Sequence, residues 1–228
     1  GTDYPSPPVP ERPTERALQE AITECRACDL WEHAIQPVLG EGPVKAHVML
    51  VGEQPGDRED IEGHPFVGPA GHVLDQGLER AGIARGDAYV TNVVKHFRYK
   101  LRGKRRIHQT QPDDTGAARS GEARCRAGGR PVRWQVNACL PWLDAERRLV
   151  NPSAIVLLGA TAAQALLGPS VRIGRDRRRP IESDLAELVT ITAHPSSILR
   201  SRDEHEREQA MEAFVADLSA VAQWLAKR

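Results

Sequence analysis

Several short stretches of this 228-residue chain hold side chains suited to ligand-holding or bond-breaking chemistry. Cys25 and Cys28 form a C-x-x-C pair, followed far downstream by Cys125 and Cys139. In a chain without an export signal such a pair binds metal or does redox work more often than it forms a structural disulfide. GEQPGD (52–57) joins turn-forming glycines and a proline to the polar groups of Glu53, Gln54 and Asp57. GHPFVGPAG (63–71) sets Phe66 on a stiff loop, where its ring either stacks on a planar ligand or plugs the core beneath. Asn92 in TNVVK carries an amide that donates and accepts at once, fit for a heterocycle edge or for capping a turn. His194 in HPSS (194–197) could donate to an oxygen gaining negative charge, or serve as a hydrogen-bonded loop histidine. Lys104-Arg105-Arg106-Ile107-His108 leads three cations into one imidazole, either a solvated basic loop or a clamp that aims the ring.

The elements that must position these groups show in the hydrophobic pattern. Helical spacing over 14–25 ends at the C-x-x-C, and 70–83 reads as a second helix with Gly82 near its end. HVMLVG (47–52), AYVTNVVK (88–95), SAIVLLG (153–159) and LVTITAHPSS (188–197) read as buried strands, the first and last opening into loops. Residues 134–150 are helical in pattern, with Pro141 predicting a kink or a boundary. TAAQALLG (161–168) and a C-terminal stripe of Met211, Phe214, Val215, Leu218, Val221 and Leu225 complete the helices. Strands alternating with helices predict an α/β fold, a three-layer α/β/α sandwich with a central, mostly parallel four-stranded sheet. Ligands of such sheets bind outside the carboxyl ends of the strands, where GEQPGD, TNVVK and HPSS all fall.

Charge and composition narrow the setting. The 31 basic residues balance the 31 acidic ones, but 95–108 holds seven Lys and Arg and no acid. RIGRDRRR (172–179) holds five Arg and one Asp, while acids gather in 203–217. A neutral chain with such stretches can present a face to a polyanion. No run approaches the roughly 20 apolar residues that span a bilayer, and residues 1–13 lack the apolar core of a secretory signal. The expectations are a flexible Pro-rich lead-in over 1–13 and a single domain over 14–228. Within that domain 112–131, rich in Gly and Arg, is expected to be a mobile insertion. A bacterial-type cytosolic setting, a monomer, no membrane contact and no obligate protein partner are expected too.

Together the motifs resemble the uracil-DNA glycosylase superfamily over most of 14–226. GEQPGD with GHPFVGPAG resembles its first motif and base-stacking loop, and HPSS its second motif. ECRAC and NACLPWL resemble the iron–sulfur-bearing branch, family four. Within that branch KRRIH, with Gln54 inside GEQPG, resembles the UdgX-type enzymes that end as covalent adducts with the DNA they have cut.

That resemblance implies roles residue by residue. Glu53 assists catalysis, Phe66 stacks the flipped uracil, Asn92 reads its edge beside Gln54 and Asp57, and His194 stabilises the departing uracil anion. His108 attacks C1′ of the sugar. Lys104, Arg105, Arg106, Ser196, Ser197 and Arg200 lie along the backbone of uracil-containing DNA, single-stranded DNA included. The implied cofactor is a [4Fe–4S] cluster on Cys25, Cys28, His96 and Cys139, with Cys125 as the alternative third ligand. An ordinary glycosylase that releases its abasic product, or a non-catalytic metal-stabilised nucleic-acid-binding module, would use many of the same residues.

Overall fold

The computed structural model describes residues 4–102, 105–108 and 130–228, with 100–102 and 105–108 as backbone only. Lys104, Cys125 and almost all of the 112–131 segment lie outside the described residues.

Four strands, β1 (Val48–Gly52), β2 (Ala88–Asn92), β5 (Ala154–Leu158) and β6 (Leu188–Thr192), form one parallel sheet in the order β2-β1-β5-β6. Their apolar runs are continuous because both faces are covered. Strand side chains alternate in direction, and that alternation divides the core in two. Met49, Val51, Ile155 and Leu157 pack with α4 (Arg133–Val150) and α5 (Ala160–Leu167) on one face. Val48, Leu50, Val156 and Leu158 pack with α3 (Pro69–Ala81), α7 (Pro195–Leu199) and α8 (Glu204–Ala226) on the other. The predicted three-layer sandwich is therefore present. Gly77 lets α3 approach α8, since a Cβ there would stand 2.5 Å from the Phe214 ring.

A third apolar group joins α1 (Glu15–Ile22) to the outer face of α4 through Leu18, Ile22, Cys25, Trp142 and Ala145. Thr14 caps α1 by accepting from the Ala17 amide at 3.1 Å. Residues 4–13 form no helix or strand, yet the Tyr4 ring stacks on Trp134 at 5.4 Å and Val9 packs on this third group. Pro141 neither ends nor divides α4, which runs through it as one element.

The basic stretch departs from the expected loop. Tyr99–Arg102 (β3) and Arg105–His108 (β4) pair antiparallel, with Tyr99 opposite His108 and Arg102 opposite Arg105. Two runs flanking Gly103-Lys104 are a hairpin signal that the charge density hid. β4 lies alongside α2 (Asp57–Glu62), the helix that begins at the end of GEQPGD.

Candidate active site

A cavity of about 440 Å³ opens at the carboxyl ends of the sheet strands and is lined by Glu53, Gln54, Asp57, Phe66, Asn92 and His194 among others. The four strand-end and loop motifs thus converge on one site. A larger cavity, about 690 Å³, lies between β6 and α8 and holds none of the motif residues.

The sheet register brings Asn92 beside GEQPGD. Gly52 is opposite Asn92, and the amides of Val93 and Val94 continue the ladder onto the carbonyls of Gly52 and Glu53 at 2.9 and 3.0 Å. Gly52 is required there, because a Cβ would stand 2.5 Å from Asn92 Oδ1 and 2.6 Å from Phe66 Cζ. Asn92 is 2% exposed, and its Oδ1 has no hydrogen-bond partner among the described residues. A buried acceptor left open costs free energy until a donor arrives.

Phe66 is buried with a left-handed backbone, φ 54°, rare for a bulky residue and typical of strained functional loops. Its ring centroid lies 6.0 Å from that of His194 at a 31° tilt. Gly71 permits this turn, since any Cβ would collide with the Phe66 carbonyl.

His194 is the N-cap of α7, and its Nδ1 accepts from the Ser196 amide at 3.1 Å. A ring nitrogen that accepts from a backbone N–H carries no proton, so the neutral ring bears its proton on Nε2. Ser196 Oγ lies 2.8 Å from Nδ1 and receives Arg200 Nη1 at 3.2 Å, while Ser197 Oγ donates to the His194 carbonyl at 2.7 Å. Gly159, φ 90°, makes room for His194, whose Cβ would be 2.9 Å from a side chain there.

Glu53 is held in place by the Thr161 hydroxyl, which donates to Oε2, and by Arg130 Nε at 3.8 Å. Gln54 faces a different task from base reading alone. Its Nε2 donates to the Arg98 carbonyl at 3.3 Å and its Oε1 accepts the Arg98 amide at 3.0 Å. That two-point clamp fixes the root of the β3–β4 hairpin against the cavity wall. Asp57 opens α2 and lines the cavity. Arg105, Arg106 and His108 are placed on β4, and Lys104 lies outside the described residues.

Two functional groups escaped the sequence reading. Glu59 accepts the Gly56 amide at 3.1 Å and the Gly68 amide at 3.0 Å, stapling the GEQPGD loop to the stacking loop. Its place three residues after Gly56, the N3 position of α2, was the available signal. Lys95, counted among the outward cations, is fully buried and ion-paired with buried Glu146 at 2.5 Å. Arg98 also turns inward, donating to the Arg130 carbonyl at 2.6 Å.

Cys25, Cys28 and Cys139 are buried free thiols, and His96 is also buried. Trp142 Nε1 donates to Cys25 Sγ at 3.3 Å, and the Lys95 amide donates to the Cys139 sulfur. The Cys28 and Cys139 thiols share a hydrogen bond, which together with burial pushes the Cys28 thiol up and which, against burial, draws Cys139 down. Burial, then the Arg26 charge, pushes His96 down to about 4, leaving its ring neutral and able to ligate. No three His, Cys, Asp or Glu among the described residues stand close enough to share one metal ion. The ligands of a four-iron cube sit on different irons and need not converge on one point. Three thiols with amide donors aimed at sulfur, plus a neutral imidazole, fit such a cluster.

The arginines of RIGRDRRR are engaged within the fold. Arg175 and Arg179 bind Asp176 at 2.7 Å, Arg177 binds Asp217 at 2.6 Å and Arg178 approaches it at 3.6 Å. Arg172 donates to the carbonyls of Pro169 and Val171 at 2.6 and 2.8 Å.

An open parallel sheet whose strand ends gather a stacking ring, an amide, an imidazole and a carboxylate defines an α/β protein built to receive a planar heterocycle. The chain belongs to the uracil DNA glycosylase superfamily, whose family model matches residues 39–219. It is similar to a type-4 uracil-DNA glycosylase of Pyrobaculum aerophilum, 33% identical over 206 residues, covering 85% of this chain and 90% of that protein. A type-4 uracil-DNA glycosylase of Thermotoga maritima is 33% identical over 198 residues, covering 86% and 88%. That of Archaeoglobus fulgidus is 29% identical over 216 residues, covering 91% of each chain.

Proposed function

We propose that the protein excises uracil from DNA and then stays joined to the abasic sugar through His108. The observation that carries the excision step is Asn92 Oδ1, a buried acceptor open to a cavity that also holds Phe66 and His194. Uracil offers that oxygen an N3–H, whereas cytosine presents a bare nitrogen there and leaves it unpaired. Phe66 stacks on the flipped base.

Cleavage of the bond between N1 and C1′ sends its electron pair to the base and leaves a cationic sugar. The Nε2–H of His194 donates to the uracil oxygen that gains charge, and the Glu53 carboxylate offsets the sugar cation. Thr161 keeps that carboxylate oriented. The lone pair of the His108 imidazole then forms the bond to C1′, and the proton on its other nitrogen passes to Glu53 or water. A ring held at contact distance outcompetes water through proximity. What supports this second step is the KRRIH sequence together with the rooting of its hairpin by Gln54 at the cavity wall. Arg105 and Arg106 with Lys104 hold the DNA backbone from the hairpin, and Ser196, Ser197 and Arg200 from α7.

Cys25, Cys28, His96 and Cys139 would hold a [4Fe–4S] cluster. When bound, that group ties the end of α1 and the exit of β2 to α4 as a structural crosslink.

The likeness to type-4 uracil-DNA glycosylases fits a second reading equally well, a glycosylase that turns over and releases its abasic product. One gel separates the two. A labelled uracil-containing oligonucleotide, boiled with the protein in detergent, should run as a slow band that thymine DNA and the His108→Ser variant do not give. Abasic product without that band leaves His108 as a phosphate contact. Absence of any excision by the native protein sinks both readings.

A further inference from the structure

Lys95 and Glu146 are fully buried, and neither has a part in the chemistry above. Glu146 Oε1 accepts the Gly40 amide at 2.6 Å and the Tyr89 hydroxyl at 3.2 Å, and Oε2 accepts the Thr91 hydroxyl at 2.9 Å. Lys95 Nζ donates to Glu146 Oε2 at 2.5 Å, to Thr91 Oγ1 at 2.8 Å and to the Asn92 carbonyl at 2.6 Å. All three ammonium donors are thereby used, and one of them grips the backbone of the residue whose amide faces the cavity.

Stability alone is a poor account of this pair. Taking both charges out of water costs about as much as their attraction returns, and apolar replacements of equal volume are often no worse. What such a network supplies is a single geometry. β2 ends at Asn92, and the ladder bonds that follow it, from the Val93 and Val94 amides, fix main chain and leave the Asn92 side-chain oxygen unheld by any described residue. The ammonium takes over at that point, from beneath, and Glu146 anchors it to α4.

We infer that Lys95 and Glu146 are positioning residues that set the Asn92 amide for the base and so govern excision rate and base choice. The inference rests on the uracil-excising reading. Because misplacement by about 1 Å can cost about 10²-fold in rate, the effect should be large without any loss of DNA contacts.

The test is a double-mutant cycle on the metal-loaded protein. The neutral pair Lys95→Met with Glu146→Gln is combined with Asn92→Ala. Single-turnover excision from a labelled uracil oligonucleotide and affinity for the same DNA are measured for all four proteins. We expect the neutral pair to slow excision at least tenfold with DNA affinity within about twofold, and to slow the Asn92→Ala protein hardly further. Inhibition by free uracil base should weaken in parallel. Equal losses in both backgrounds would reduce the pair to a fold-holding role and overturn the inference, as would unchanged excision. If the native protein releases no uracil, the failure belongs to the uracil reading instead. Glu146→Asp, which keeps both charges but moves the ammonium, runs the same cycle should the neutral pair not fold.

Discussion

Residues 95–106 and 172–179 are both dense in Lys and Arg, yet their charges go to different places. The arginines of 172–179 meet two acids, Asp176 within the run and Asp217 on α8, which take up Arg175, Arg177, Arg178 and Arg179, and Arg172 is spent on carbonyl oxygens. In 95–106 the first two cations, Lys95 and Arg98, turn inward, and the sequence that carries the other five holds no acid of its own. A string of cations therefore says little about polyanion binding until the acids that meet it in space are known. Asp217, 40 residues from Arg177 in sequence, is the partner that no local pattern announces.

Four measurements can break or sharpen that contrast. Lys95→Met alone strands the Glu146 carboxylate in the core and should cost about 3–5 kcal/mol in urea unfolding. A loss below 1 kcal/mol, by the measure typical of exposed pairs, would place Lys95 with the outward cations. Asp217→Asn weakens the hold on Arg177 and Thr192 and should cost about 1.5–3 kcal/mol in the same assay. Replacing Arg105 and Arg106 together by Ala should flatten the dependence of log affinity on log salt by about 1.4 for single-stranded DNA, roughly 0.7 per phosphate contact. The matching replacement of Arg175 and Arg179 should leave that slope where it was. A drop in the last experiment would mean that DNA competes successfully for the arginines that Asp176 now holds.

The sheet was readable because β1 and β5 are unbroken apolar runs, β2 and β6 are interrupted only by threonines and Asn92, and the longer helices carry apolar stripes. Glu53, Phe66, Asn92 and His194 were readable for a related reason: motifs at successive strand ends of a parallel sheet must meet. Residues that act through partners distant in sequence were not. Glu146 looks like one more helix glutamate until Lys95, Thr91, Tyr89 and Gly40 surround it. The hairpin was hidden by its own composition, because KRRIH carries too few apolar residues to advertise a strand. Gln54 was expected at the base through the resemblance of its motif, and its hold on the Arg98 backbone, 44 residues away, was not legible.

The left-handed turn at Phe66 has a consequence for anyone who tries to harden this protein against heat. A bulky residue held there stores about 1–3 kcal/mol, less than the roughly 3–5 kcal/mol that burial of its ring returns. Exchange for Gly or Asn would relax the turn but leave a cavity where the ring packs, so selection for thermal survival would keep the strained aromatic in place. Screens for robust variants should therefore keep position 66 fixed.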